Sequence, residues 1–481
     1  MLSSVLVSNR GEIACRIIRG ARDLGIRSVA VYSEADARAP FVALADEAYC
    51  IGPPQPQQSY LNIDAILDVA KKSGVEAIHP GYGFLSENAK FSAACRDAGI
   101  TFIGPTPEAI ESMGDKVSAR ERMRVAGVPI VPGSGFLTSV EEAQSVAETV
   151  GYPILLKASA GGGGIGMHVA TTPEELSRLF ETAQSQALRA FGNGALFLER
   201  YVAEPRHIEI QIIADTHGNV VHLGERECSI QRRHQKIIEE TPSVVITDEL
   251  REQMGAAAVK AGAAVGYVNA GTVEFIFSRG EFFFLEMNTR LQVEHPITEA
   301  VTGIDLVETQ FRVASGEKLP FTQKDIHRTG HAIECRINAE AYAQGFLPSP
   351  GTVRGYHAPE GPGVRVDSAL AGPGTVSPHY DPMVAKLIVW GSNREQAIHR
   401  MERALYEYVV TGMTTNIPYH AAVMQNEEFR KGNYTTAFIE EHPELVAIAN
   451  AWDASRNVQD LVDDPRKRAA VIAAVAAVQR G

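Results

Sequence analysis

Glu274 and Glu286 enclose the run Phe-Ile-Phe-Ser-Arg-Gly-Glu-Phe-Phe-Phe-Leu, two aromatic stretches separated by Ser278-Arg279-Gly280-Glu281. That pattern predicts a β-hairpin closed by a short glycine-containing loop. A three-residue loop over Arg279 to Glu281 sets Glu274 opposite Glu286. Like charges opposed across a ladder destabilise it, and a divalent cation between them is the simplest relief. Magnesium suits the arrangement, because it is held by one or two carboxylates and completes its shell with phosphates and water. Beyond the turn, Glu286, Asn288, Arg290, Gln292 and Glu294 recur at every second residue, with Leu285, Met287, Leu291 and Val293 between them. If the segment stays extended, the polar groups share one face and the apolar groups the other. Alternating charge commonly marks a solvated edge strand, but such edges favour Lys, Thr and Ser. Paired carboxylates with an amide and a guanidinium point to metal and anion chemistry.

A second cluster supplies phosphate-binding groups. Tyr152-Pro-Ile-Leu-Leu-Lys157-Ala-Ser-Ala is followed by Gly161, Gly162, Gly163, Gly164, Ile165 and Gly166. A strand ending in Lys and running into glycines lets backbone N–H groups converge on phosphate oxygens, while the Lys adds a movable point charge. A flexible linker is the bland alternative, yet linkers carry Ser and Thr spacers and are not wedged between Ile-Leu-Leu and Met-His-Val. No Gly-Lys-Ser/Thr follows, so the P-loop is excluded. With the carboxylate hairpin downstream, the loop indicates ATP and Mg²⁺ together. Further along, Gln231-Arg-Arg-His234-Gln-Lys236 concentrates cations, a local positive site for an anionic substrate.

The elements that must position these groups are legible in outline. Ser4–Ser8 reads as a buried strand, Gly11 opens a helix with Ile13, Ile17, Ala21 and Leu24 on one face, and Arg27–Tyr32 is the next strand. Strand, helix, strand predicts a parallel sheet, extended by Glu76–His79 and Thr101–Ile103 with a helix near Ile63–Lys72. His79-Pro-Gly-Tyr82-Gly-Phe-Leu-Ser-Glu87-Asn88 leaves a strand where open α/β sheets bind ligands. Gly11 stands alone after the first strand, so a dinucleotide site is not indicated. Arg206-His207-Ile-Glu209-Ile-Gln211 alternates as a strand with His207 and Glu209 on one face. From Gly330 onward the chain turns to short strands, with a helix around Asn393–Tyr408.

The 481 residues suffice for about three domains. A formal charge of −13 argues against a nucleic-acid surface, which needs clustered Lys and Arg. The five cysteines are scattered without a C-x-x-C, which excludes a zinc ribbon and fits a reducing, cytoplasmic compartment. The N-terminus shows no signal-peptide pattern, and the late apolar run Ala469–Val478 is too short to span a bilayer.

The run E-M-N-T-R-L-Q-V-E-H-P-I-T-E from Glu286 to Glu299, with the motif around Tyr82 and the glycine loop, resembles the biotin carboxylases, a branch of the ATP-grasp ligases. The resemblance covers residue 1 to about 445. It implies an α/β and α+β chain: a Rossmann-like N-terminal domain (1–113), an ATP-grasp domain (114–329, its glycine-loop lid about 131–203) and a mainly β C-terminal domain (330–445). A tail at 446–481, with a helix after Asp464-Pro465, lies beyond the shared core. The implied activity is ATP-dependent conversion of bicarbonate to carboxyphosphate, then carboxylation of biotin. Lys116, Lys157, the glycines from Gly161 to Gly166, Glu199, His207, Gln231 and His234 would then bind ATP. Glu274, Glu286 and Asn288 would hold Mg²⁺ or Mn²⁺. Lys236, Arg290, Gln292 and Val293 would hold bicarbonate, with Glu294 as its base. Arg336 would stabilise developing negative charge, and Tyr82 would lie near biotin. Ile165 stands where many relatives carry Arg or Lys, so one cation near the phosphates is missing.

No Met-Lys-Met biotinylation sequence occurs. The expected partners are therefore a separate biotin carboxyl carrier protein and carboxyltransferase subunits, with the chain itself a homodimer. The final acceptor stays open among acetyl-CoA, propionyl-CoA, pyruvate and 2-oxoglutarate. A different ATP-grasp ligase joining a carboxylate to an amine, or a non-catalytic nucleotide-binding protein, are the competing readings.

Overall fold

The computed structural model describes residues 1–158, 167–191 and 194–456, with backbone alone at 116, 117, 190 and 191. The N-terminal part is a five-stranded parallel sheet built as expected from alternating strands and helices. Its order places Ser4–Val7 at the centre, flanked by Arg27–Ser33 and then Glu47–Gly52 on one side, and by Ala77–His79 and Thr101–Phe102 on the other. Val5, Leu6 and Val7 are wholly buried because helices cover both faces of such a sheet. The helix Gly11–Asp23 packs Ile13, Ile17 and Ala21 into the core and leaves Glu12 close to the parallel strands' carboxyl ends.

An eight-stranded antiparallel sheet forms the body of the molecule. From one edge it runs Glu281–Asn288, Asn269–Ser278, Arg206–Ala214, Val220–Arg232, Gln235–Thr241, His331–Asn338, Met383–Gly391 and Val364–Ser368. The sheet is continuous across Gly330, where the composition changes, since Gln235–Thr241 pairs directly with His331–Asn338. The short helix His295–Thr302 lies against the middle of this sheet, with Ile297 and Val301 meeting Ala332 and Ile388. The helices Arg394–Glu407 and Ile417–Gln425 cover the opposite face over a core of Ile333, Cys335, Leu387 and Val389.

A separate three-stranded antiparallel sheet, ordered Met167–Ala170, Ile154–Ala158, Leu196–Arg200, is backed by the helices Val140–Val150 and Pro173–Phe191. The glycines Gly161 to Gly164, Ile165 and Gly166 lie outside the described residues, as does the expected helix after Pro465.

The hairpin carrying the carboxylates departs from expectation in one instructive way. Its loop has two residues, not three: Ser278 pairs with Glu281, and Arg279 and Gly280 both take positive φ (50° and 86°). Both positions left-handed is the condition for the tight turn that matches strand twist, and Gly280 meets it without strain. Glu274 nevertheless pairs with Glu286, because the register shifts between Glu274 and Phe275 and leaves Leu285 as an extra residue. Phe282 and Phe284 face the core before this bulge, and Met287 faces it afterwards. Leu285, expected on the apolar face, is instead 47% exposed on the cleft wall.

The strand also stops at Asn288 rather than continuing to Glu294. Thr289 N–H donates to Glu87 Oε1 (2.9 Å) and Arg290 Nε donates to Glu87 Oε2 (2.8 Å), which ties the departing chain to the N-terminal domain. Pro296 then sits in the first turn of the His295–Thr302 helix, where a missing N–H costs nothing.

Candidate active site

A cleft of about 1550 Å³ opens between the parallel sheet, the large antiparallel sheet and the small lid sheet. Tyr82, Lys157, Glu199, His207, Gln231, His234, Lys236, Glu274, Glu286, Asn288, Arg290, Gln292, Val293, Glu294 and Arg336 all line it. Residues spread over some 250 positions are therefore gathered at one place. For Lys116 the structure gives only the backbone, at the start of the helix Lys116–Val125, whose N-terminus Asp115 caps.

Lys236 is the hub. Its ammonium donates to Glu274 Oε1 (2.8 Å), to Glu294 Oε1 (2.7 Å) and to Glu209. Burial opposes its charge, but Glu209, Glu274 and Glu294 outweigh burial and hold the ammonium well above the ordinary Lys range. The same balance works in reverse on the acids. Burial opposes the ionisation of Glu294, and Lys236, Arg336 and Arg226 overcome it, so the carboxylate is held well below its ordinary range. Glu274 is likewise held ionised against burial, by Lys236 and by His207, whose Nε2 lies 2.9 Å from Glu274 Oε2.

Arg336 enters from the strand His331–Asn338 and donates to Glu294 Oε2 at 2.9 Å. Glu294 thus has one oxygen on Lys236 and the other on Arg336, an ionised carboxylate aimed at the cleft by two cations. Asn288 Nδ2 and Gln292 Nε2 each donate to Glu274 Oε1 (2.8 Å), and Arg290 Nη2 donates to Asn288 Oδ1 (2.9 Å). Gln231 lies in the first strand of the hairpin Val220–Arg232/Gln235–Thr241, and His234 in the second two-residue turn that closes it, where Arg233 and His234 both have positive φ.

The opposed carboxylates Glu274 and Glu286, with Asn288 two residues on, form a set of hard oxygen donors on one wall. That chemistry fits magnesium. Toward the lid, Lys157 and Arg120 both pair with Glu199, placed on one face of the lid sheet by the register Leu155–Glu199 and Lys157–Phe197.

Several residues of the cluster are not singled out by the sequence motifs. Arg226, fully buried, donates to Gln211 Oε1 (2.7 Å), Gln292 Oε1 (2.6 Å) and the hydroxyls of Thr298 (3.0 Å) and Thr272 (3.2 Å), and pairs with Glu209. Glu87, Arg120 and Glu239 support Arg290, Glu199 and Arg336. One signal for them does exist: an ionised residue inside a strand otherwise destined for burial, such as Arg226 in Leu-Gly-Glu-Arg-Glu-Cys, needs a buried partner.

A lid sheet closing over an antiparallel sheet that carries carboxylates and cations defines the ATP-grasp class of ligases. Three family models match in succession: "Biotin carboxylase, N-terminal domain" over residues 1–110, "Carbamoyl-phosphate synthase L chain, ATP binding domain" over 115–322, and "Biotin carboxylase C-terminal domain" over 334–441. A pyruvate carboxylase subunit from Methanothermobacter thermautotrophicus is 58% identical over 443 residues, covering 92% of this chain and 90% of that protein. Biotin carboxylase 1 of Bacillus subtilis is 54% identical over 92% of this chain and 99% of its own length. The biotin carboxylase domain dimer of Hydrogenobacter thermophilus 2-oxoglutarate carboxylase, solved with MgADP, ADP and bicarbonate, superposes with a TM-score of 0.84 at 51% identity, covering 93% of this chain and 99% of that one. The chain belongs to the biotin carboxylase family of ATP-dependent ligases.

Proposed function

We propose that this cleft phosphorylates bicarbonate with ATP and passes the resulting CO₂ to N1′ of biotin carried on a separate protein. The observation that carries the reading is the ionised Glu294, gripped on both oxygens by Lys236 and Arg336 at the cleft wall. Glu294 takes the proton of bicarbonate, which makes the anion a competent nucleophile toward the γ-phosphate. Lys236, Arg290 and Arg336 surround the transferred group with positive charge, the role that dominates phosphoryl transfer. Lys157 reaches the phosphates from the lid, with Lys116 and the loop Gly161–Gly166 as further phosphate ligands. Glu199, His207, Gln231 and His234 complete the ATP site. Glu274, Glu286 and Asn288 would hold Mg²⁺, which supplies charge neutralisation at the phosphates. Tyr82 and Arg336 flank the place for biotin.

The absent biotinylation sequence favours a carrier and a carboxyltransferase on other chains. The dimeric Hydrogenobacter domain favours a homodimer here. Among the described residues no helix is long and apolar enough to cross a membrane, and we place the enzyme in the cytoplasm. Phosphate release by the purified protein, with and without bicarbonate and free biotin, tests the reading. Release dependent on bicarbonate and increased by biotin is expected. Release dependent on an amino acid instead, or none at all, would overturn it.

A further inference from the structure

Lys386 lies in the middle of the strand Met383–Gly391, and its side chain is wholly buried. Val384, Ala385, Leu387, Ile388 and Val389 around it are buried and apolar. An ammonium persists in such surroundings only where partners replace its water. Three partners do. The Val293 carbonyl accepts from Nζ at 2.9 Å, Glu12 Oε1 lies at 3.2 Å, and Asp367 Oδ2 lies at 3.8 Å. Glu12 in turn accepts from the Tyr82 hydroxyl.

The sheet register gives this contact its meaning. Lys386 stands directly opposite Arg336 on one neighbouring strand and opposite Asp367 on the other. Side chains directly opposed across a ladder share a face, so Arg336 and Lys386 stand side by side. Arg336 holds the carboxylate of Glu294, while Lys386 holds the carbonyl of Val293, one residue earlier. Ion pairs with Glu12 and Asp367 alone would make Lys386 a strut between domains. The bond to Val293 does more. The peptide joining Val293 to Glu294 is planar, so fixing its C=O also fixes the direction in which Glu294 leaves the chain. Glu294 makes no side-chain capping bond to the helix it precedes; its carboxylate goes to Lys236 and Arg336 at the cleft wall instead.

We propose that Lys386 is a positioning residue for bicarbonate activation: by holding the Val293 carbonyl it orients the peptide from which Glu294 reaches the cleft, and through Glu12 it ties that peptide to Tyr82. The inference rests on the function proposed above. A misplacement of about 1 Å at a reacting group costs roughly 10²-fold in rate, which sets the size of the expected effect.

The test measures bicarbonate-dependent ATP cleavage per folded molecule in Lys386→Met and Lys386→Arg. Lys386→Met should lose kcat by about 10²-fold and raise KM for bicarbonate, with KM for ATP unchanged within about twofold. Lys386→Arg restores a charged donor in a different place and should fall between, at about a tenfold loss. Met401→Ala, on the buried face of the helix Arg394–Glu407 and away from the cleft, supplies the control. It should lower Tm while leaving both Michaelis constants and kcat alone. A Met variant with wild-type kcat and bicarbonate KM would show Lys386 to be a strut only. Should the Met variant fail to fold, an Arg variant at the wild-type rate would overturn the proposal equally. A wild-type protein without bicarbonate-dependent cleavage would instead refute the proposed function, so the two failures are separable.

Discussion

Arg336 holds Glu294 with one arm of its guanidinium, at 2.9 Å, and Glu239 with its Nε, at 2.6 Å. Glu294 faces the cleft, whereas Glu239 is sealed behind it, directly opposite a second buried carboxyl, Glu334. One cation thus serves an acid kept ionised for chemistry and an acid kept out of water altogether.

For the first acid the expectation is kinetic. Glu294→Gln keeps the shape and one accepting oxygen, but it sets an amide donor against Lys236 or Arg336 and cannot take a proton. Bicarbonate-dependent ATP cleavage should fall by about 10²–10⁴-fold, the usual worth of a general base. KM for ATP should hold within a small factor. Cleavage within a few-fold of wild type would remove Glu294 from the role of base.

For the second acid the expectation concerns stability against pH. Burial pushes Glu239 up from 4.5 to about 7, only partly offset by Arg336. A carboxyl raised in the folded state favours the protonated fold. Its contribution is complete below the ordinary value near 4.5 and is lost as pH rises through about 7. The loss amounts to about 3 kcal/mol at most. Urea unfolding from pH 5 to 8 should show wild type losing stability with rising pH more steeply than Glu239→Gln. Parallel curves would place the titrating group elsewhere.

Arg226 should matter more to the fold than any residue named from the sequence. Arg226→Met strips one of two cationic partners from buried Glu209, which keeps Lys236, and leaves Gln211, Gln292 and two threonines without this donor. A loss of about 3–5 kcal/mol is expected from breaking a buried pair on one side. Denaturant titration of the variant gives the value directly. A change below about 1 kcal/mol would mean that the cluster relaxes around the loss.

On the lid, Glu199 restrains Lys157 and Arg120 together. Glu199→Gln removes the charge that orients both cations, and KM for ATP should rise roughly tenfold, the scale of one charge-assisted hydrogen bond. Steady-state kinetics with ATP varied at saturating bicarbonate decide it. An unchanged KM would detach this pair of cations from nucleotide binding.

Much of this architecture is legible in the chain itself. The parallel N-terminal sheet follows from strand and helix spacing, and the pairing of Glu274 with Glu286 follows from the aromatic runs around Gly280. The pairing is nevertheless reached by a different route, a two-residue turn and a bulge in place of a three-residue loop. A single extra residue has no signature in alternation, because both routes give the same partner. The end of the strand at Asn288 is hidden for a related reason: what bends the chain is Glu87, some two hundred residues earlier. Lys386, Arg226 and Glu239 show in the sequence at most as charges inside strands otherwise destined for burial. Their connection to the site is not legible, because sheet topology, not sequence proximity, brings them to the segment 292–294 or its partners. The joining of the central and C-terminal strands into one sheet across Gly330 cannot be read from composition at all.

The bulge at Leu285 makes the wall of the cleft depend on a count of residues as much as on their identity. Between Gly280 and Glu286 the ladder must change face once, and Leu285 is where it does so. Draw that one residue into the regular ladder, with every charged group intact, and Glu286 takes the core-facing position while Met287 turns outward. The segment should therefore tolerate many substitutions at Leu285, and even its deletion should leave Glu286 opposite Glu274 on the cleft side, because the residue's whole part is to stand outside the count.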